Sequence, residues 1–241
     1  MKTVLLEIIA FNLESCSLIE TAGAHRIELC DNPADGGTTP SAGFMEQARK
    51  ITTLPIFPIL RPRGGNFVYS GPEFQAMLTD IHYCRETGMD GIVTGILTRN
   101  GEVDIERNKK LIEAACELPC TFHRAFDRTV NIRDALEKII DCGFKRVLTS
   151  GNYPTAEEGL ENLKMLVEQA ADRIIVMPGS GVRSSNIKKI VTHTGCREIH
   201  SSARTLHIIH DIYQPVTMRE STAEITTDTI EIEKMLHALS N

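Results

Sequence analysis

No C-x-x-C pair occurs among the seven cysteines (Cys16, Cys30, Cys84, Cys116, Cys120, Cys142 and Cys196), which excludes a zinc knuckle and a thioredoxin-like dithiol. The two closest, Cys116 and Cys120, straddle Pro119 and read as a helix end followed by a strand start. Scattered thiols, odd in number, suit a reducing compartment, so a cytoplasmic location is expected. No apolar run approaches the roughly 18 residues that span a bilayer. The first apolar stretch follows Lys2, but Glu7 interrupts it and no small-residue cleavage site follows, so it reads as a strand rather than a signal peptide. An excess of positive charge is missing too. Twenty-six basic against 32 acidic residues leave a net charge of −6, which excludes a broad nucleic-acid footprint and confines any basic site to one locality. Neither nucleic acid nor a membrane is expected as a partner.

What is present is a recurring unit. Short β-branched or apolar runs at Leu5 to Phe11, Arg26 to Cys30, Ile56 to Pro62, Gly91 to Leu97, Cys120 to Phe126, Arg146 to Gly151, Ile174 to Gly179 and Glu198 to Ala203 are each followed by a longer amphipathic stretch. Helix starts are marked by Asp104 before Ile105, Asn131 before Ile132, and Thr155 three residues ahead of Glu158. Gly23, Gly88, Gly143 and Gly195 stand just past helical runs. Eight strand–helix units predict an α/β fold, a closed (β/α)8 TIM barrel. An open doubly wound sheet would carry G-x-G-x-x-G after strand one, where this chain has Asn12-Leu13-Glu14. Barrels run as one domain at about 250 residues, and no linker divides the chain, so residues 1–241 are expected to form a single domain. The least regular part is the connection Thr205 to Thr226, ahead of a final helix near Thr227 to Leu239.

A barrel interior is normally filled with branched apolar side chains, so ionisable residues inside strand runs need a reason. Glu7, Glu28, Arg61, His123 and His200 all sit in such runs. Each charge costs several kcal/mol if buried alone, so each must be paired, solvated or coordinated. Inward residues at the C-terminal strand ends converge on one mouth, which makes these five a candidate catalytic constellation; a buried structural ion-pair network is the alternative.

Two turns add donors. Gly179-Ser180-Gly181 after strand seven, with a helix behind it, predicts an anion site that Ser201 after strand eight would complete. Thr149-Ser150-Gly151-Asn152 ends strand six in a second donor-rich turn. In the Arg61-Pro62-Arg63-Gly64-Gly65 loop, Arg63 offers a second guanidinium fork for a carboxylate or phosphate, or for an acidic neighbour. The Asp35 to Ser41 stretch reads as a rim or lid on the same face, with Ser41 as an N-cap.

Several longer motifs carry a resemblance. His25-Arg26-Ile27-Glu28-Leu29-Cys30, Gly36-Gly37-Thr38-Thr39-Pro40-Ser41, Arg61-Pro62-Arg63-Gly64-Gly65-Asn66-Phe67, Thr121-Phe122-His123-Arg124-Ala125-Phe126-Asp127, Leu148-Thr149-Ser150-Gly151, Gly179-Ser180-Gly181-Val182 and His200-Ser201-Ser202-Ala203 resemble the CutC copper-homeostasis family across nearly the whole chain. The resemblance implies a barrel, a cytosolic setting and copper handling or binding, with Cys30 as the copper ligand. A Cu(I) site calls for two or more soft ligands, and the stretch after Glu7 is Ile8-Ile9, without a thiol.

Three functions follow, the last of them a non-catalytic barrel that acts through oligomeric contacts. One is copper binding through Cys30. Another is an enzyme acting on a small anionic, including phosphorylated, compound, with His123 and Glu7 or Glu28 as acid and base and Arg61 as the anion clamp. In a variant of the second, Glu7, Glu28, His123 and His200 hold a divalent metal of the zinc, manganese or iron type. Barrels often self-associate, and a homo-oligomer is expected.

Overall fold

Alternation along each strand sends side chains to two different cores. In β1 (Leu5–Ala10), Leu6, Ile8 and Ala10 join a large apolar cluster shared with the helices, while Glu7 and Ile9 face the other way. In β2 (Arg26–Leu29), Ile27 and Leu29 join the same cluster, and Arg26 and Glu28 take the opposite face. A second, small cluster of Ile9, Cys30, Phe57, Ile59 and Val93 fills part of the space enclosed by the strands. Strands buried on both faces are what parallel sheets covered by helices require.

The molecule is a computed structural model that describes residues 4–208, 212, 213, 215, 217, 219 and 221–240. Lys2 and part of the Thr205 to Thr226 connection therefore lie outside the described residues. After β1 come α1 (Leu13–Thr21), β2, α2 (Ala42–Ile51), β3 (Ile56–Pro58), α3 (Gly71–Glu86), β4 (Ile92–Thr94) and α4 (Ile105–Ala115). The second half holds β5 (Cys120–Phe122), α5 (Ile132–Cys142), β6 (Arg146–Thr149), α6 (Leu160–Ala170), β7 (Ile175–Pro178), α7 (Ile187–Thr194) and β8 (Glu198–Ser201). The parallel strands pair in the orders β3-β2-β1-β8 and β4-β5-β6-β7. A parallel bridge between Ile59 and Val93 joins β3 to β4, with Leu60 N–H donating to Val93 O at 2.7 Å. β7 and β8 lie side by side without a regular ladder. The result is the expected (β/α)8 barrel.

Local chemistry explains most helix ends. Asn12, Ser41, Asp104 and Asn131 cap α1, α2, α4 and α5 through side-chain oxygens, and Ser70 with Glu73 forms a capping box on α3. Gly143 closes α5 at φ +100°, a left-handed geometry that favours glycine. Thr155 and Glu158 also pair, with Glu158 N–H donating to Thr155 Oγ1 at 3.2 Å and the Thr155 hydroxyl donating to the Glu158 carboxylate at 2.7 Å, but they close a separate turn and α6 opens only at Leu160. The chain beyond β8 makes an antiparallel hairpin, β9 (Arg204–His207) with β10 (Glu224–Thr227), before α8 (Thr229–Ser240).

Ionisable residues form the floor of the interior. The Arg26 guanidinium pairs with Glu7 through Nε and with Glu198 through Nη2, and Arg146 Nε reaches the same Glu198 carboxylate at 2.9 Å. Both guanidinium groups lie over the Phe57 ring, 5.0 and 5.2 Å from its centroid. Register explains the meeting: Glu7 stands opposite Arg26 on one side and His200 on the other. Removing one member of a buried network leaves its partners as uncompensated charges. Glu198→Ala is therefore expected to lower unfolding free energy by roughly 3–5 kcal/mol in urea titrations; a loss below about 1 kcal/mol, in the range of exposed pairs, would contradict a buried ladder.

Candidate functional site

Glu7, Glu28 and His200 lie inside β1, β2 and β8, whereas β3 and β5 stop earlier than their apolar runs suggest and deliver site residues from just past their ends. Arg61 lies three residues beyond β3, and His123 directly follows β5. At His123 the chain bends into a 3-10 turn, Arg124–Arg128, and the imidazole caps it: Nδ1 accepts the Ala125 N–H at 3.3 Å. Continuing the strand to Phe126 would forgo that cap.

Glu28, Arg61, His123 and His200 line one chamber of about 90 Å³, together with Ile9, Gly36, Ile59, Phe67, Arg124 and Leu148. Arg61, Gly36, Phe67 and Arg124 also border a wider outer chamber of about 310 Å³, whose other walls include Asp127, Arg128 and Tyr153. Glu7 lies just beneath, fully buried. His200 bridges the two carboxylates, with Nδ1 2.8 Å from Glu7 and Nε2 3.7 Å from Glu28. Gly179 packs against another wall residue of the chamber, where a Cβ would come within 2.5 Å of Leu148 Cδ1.

The electrostatics divide the cluster. Burial alone would push the Glu7 carboxyl up, but Arg26 and His200 together bring it down to about 2. Glu28 has no such guanidinium contact. Burial raises it to about 7, helped by the neighbouring Glu7 charge and opposed by His200. Burial works against protonated His200, yet its hydrogen bond to Glu7 and the Glu28 charge raise its pKa. Burial and the nearby Arg61 charge drive His123 down to about 3.

Arg61 is buried and cationic, and its Nη atoms donate only to main-chain carbonyls: Asp35 O at 2.7 Å, Gly37 O at 2.8 Å and Gly65 O at 3.1 Å. Its guanidinium stacks 4.8 Å from the Phe67 centroid, and the His123 ring lies 4.7 Å from Phe67 on its own contact. Among the described residues no carboxylate comes within ion-pair distance of Arg61, and Arg61 Nε and His123 Nε2 are buried without protein partners.

The residues expected to bind an anion make contacts of their own within the protein. Arg63 pairs with Glu73 at 2.6 Å and ties down its own loop through the Gly64, Asn66 and Val68 carbonyls. The donors of Ser150 already meet a carboxylate, since Asp127 accepts from Ser150 N–H at 3.0 Å and from its hydroxyl at 3.0 Å, as well as from Thr149 Oγ1. Gly151 N–H donates to Thr149 Oγ1 and Gly179 N–H to Thr149 O. Ser180 donates its hydroxyl to Pro154 O, Gly181 O accepts from Asn186, and the Ser201 hydroxyl donates to Val182 O. The Ser150, Ser180 and Ser201 hydroxyls and the Gly151 and Gly179 N–H groups thus have acceptors within the protein. Asp127, with its ion pair to Arg124 at 2.8 Å, is a mouth residue that the sequence reading missed; the i, i+3 spacing of the two was the available signal.

The donor set does not fit a copper ion. Cys30 is fully buried among apolar neighbours, and burial together with the Glu28 and Glu7 charges raises its thiol well above the usual range, away from the thiolate a soft metal needs. No second thiol among the described residues joins its cluster. Among the described residues no group of three or more histidine, cysteine, aspartate or glutamate side chains is arranged to hold a metal.

Fold and mouth together define a β/α barrel with an ionisable chamber at the C-terminal strand ends, where barrel proteins take small ligands. The family model of CutC matches residues 4–205, and the chain belongs to the CutC family. A CutC protein of Chromobacterium violaceum is 47% identical over 200 residues, covering 83% of this chain and 81% of its own. The crystal structure of CutC from Streptococcus agalactiae, a protein named for copper homeostasis, superposes with a TM-score of 0.79 at 36% identity and covers 83% of this chain and 98% of its own. Phosphoribosylanthranilate isomerase from Pyrococcus furiosus shares the fold alone, at 11% identity and a TM-score of 0.60 over 99% of each chain.

The His123 environment has a measurable consequence. An unfolded histidine takes a proton near pH 6.5, whereas folded His123 does so only near 3. Between those values the unfolded state binds more protons, so stability falls as pH drops through the window. His123→Gln is expected to flatten the melting-temperature loss between pH 6.5 and 4 relative to wild type, with Glu7, Glu28 and His200 titrating alike in both. Acid limbs that run parallel would contradict a neutral buried His123.

Proposed function

We propose that this CutC barrel binds a small anionic compound at its mouth and performs acid–base chemistry on it, with Glu28 as the proton-transferring group and Arg61 as the fixed positive charge. The observation that carries this reading is the buried Arg61 guanidinium, which has carbonyl partners but no carboxylate within ion-pair distance among the described residues. A buried cation in that state favours an incoming anion. The chamber supports a ligand by its shape, and the pKa of Glu28 near 7 supports a group able both to take and to return a proton at neutral pH. Arg124 and Arg128 in the outer chamber give a charged tail, carboxylate or phosphate, a place to lie. The seven free thiols fit a reducing, cytoplasmic setting.

Thermal-shift screening with small carboxylates and phosphorylated metabolites tests this. A ligand at a hundred times its Kd stabilises by about 2.7 kcal/mol, several degrees for a chain of this size. Stabilisation is expected for at least one class, and Arg61→Ala is expected to abolish the ligand-induced shift measured from its own baseline. No shift by any of them at millimolar concentration would overturn the reading. The copper association of the family name is tested on reduced protein with Cu(I) and a competing chelator. Binding is expected to be no tighter in wild type than in Cys30→Ser; a tight, Cys30-dependent site would favour copper instead.

A further inference from the structure

His123 is the mouth residue whose chemistry is most constrained by its surroundings. A main-chain N–H can only donate, so the Ala125 N–H at 3.3 Å requires a lone pair on Nδ1. The neutral ring therefore carries its proton on Nε2. A second proton would place two donors face to face. Phe67 packs against the ring at 4.7 Å, and a Cβ on Gly95 would lie 3.0 Å from Nδ1, so the ring is enclosed from that side as well. Nε2 is buried and has no protein partner, in a side chain that lines the chamber.

We infer that His123 is a fixed, uncharged hydrogen-bond donor to the oxygen of a small enolisable carbonyl compound, with Glu28 across the same chamber moving the proton. This rests on the acid–base reading above and deepens it. A histidine with its lone pair tied up and its N–H unpartnered, in a side chain that lines the chamber, is neither a base nor a metal ligand there. It is an electrophile, suited to an oxygen on which negative charge develops. The effect of burial and Arg61 on its pKa agrees with a ring that stays neutral at all working pH values.

The step balances without a cofactor. The Glu28 carboxylate takes a proton from the carbon next to the carbonyl. The C–H electron pair becomes a carbon–carbon π bond, and the carbonyl π pair moves to oxygen, where the His123 Nε2–H holds it. Where that carbon bears a hydroxyl, Glu28, now a carboxylic acid, gives the proton to the former carbonyl carbon, while the hydroxyl proton passes to the oxygen held by His123 and the new carbonyl forms at the carbon that lost the proton. The reaction class is a 1,2-proton transfer, the isomerisation of an α-hydroxy carbonyl compound, with no change in oxidation state overall. The chamber has about three waters' worth of volume, enough for the reacting carbonyl end, while Arg124 and Arg128 border the space left for an anionic tail.

The test uses full-length protein labelled with 15N-histidine and oxalate, a planar dianion that imitates an enediolate. Long-range 1H–15N spectra are expected to show His123 as the neutral Nε2–H tautomer from pH 5 to 8, and its Nε2–H resonance is expected to move on oxalate binding. Oxalate affinity is expected to fall at least about tenfold in His123→Ala and to recover in His123→Gln, whose amide also donates. A proton on Nδ1, or a ring that titrates between pH 6 and 7, would overturn the inference. Oxalate that raises the melting temperature without moving the ring would overturn it while leaving the anion-binding reading intact. Absence of any oxalate effect would overturn it too, and the wider anion screen then decides the reading beneath it.

Discussion

The charged ladder on the barrel floor is the constraint from which the mouth takes its properties. Arg26 and Arg146 share Glu198, and Arg26 also holds Glu7. Buried ions in a low-dielectric interior are tolerated only when closely compensated, and here the compensation runs upward from strand to strand. Glu7 is claimed from below by Arg26 and from the side by His200. That leaves Glu28 with His200 as its nearest cation, at 3.7 Å, and the two carboxylates of the upper layer are pushed to opposite ends of the carboxyl range.

Carboxylates with well-separated ionisation behaviour are how one site acquires a permanently charged group and a proton carrier. Glu7 offsets guanidinium charge on the floor and holds His200, whereas burial raises Glu28 to about 7. Arg61 and His123 complete the chamber from the other side. One is charged without a carboxylate, held by loop carbonyls; the other is held neutral by a turn of its own chain. Phe67 packs against both and against Arg128, so the aromatic loop after β3 sets their mutual placement.

Much of this was legible before the fold was known, because the barrel depends on apolar alternation and the polar exceptions to that alternation stand out. Glu7, Glu28, Arg61, His123 and His200 were visible for that reason, and the structure brings them together. Arg26, Arg146 and Glu198 were hidden in plain view. Each begins its strand, and a charged residue at a strand boundary looks like a solvated end rather than an interior partner. The donor turns were visible, but not the Asp127 carboxylate that occupies the Ser150 turn, because that contact bridges more than 20 residues. Strand ends were overextended for a related reason. Apolar runs continue through Pro62 and Phe126, while the hydrogen bonding of the mouth turns, such as the His123 cap, takes the backbone out of the ladder. The tautomer of His123 follows from that same turn and has no signature in residue order.

The interior ladder neutralises itself, and among the described residues the buried Arg61 stands beside the chamber with no carboxylate in ion-pair distance. Anomalous diffraction from crystals soaked in bromide tests it directly, since bromide reports positive potential without any chemistry of its own. The account predicts a bromide peak inside the chamber next to Arg61 and His123. Bromide found only at exterior arginines, with the chamber holding nothing but water, would contradict it.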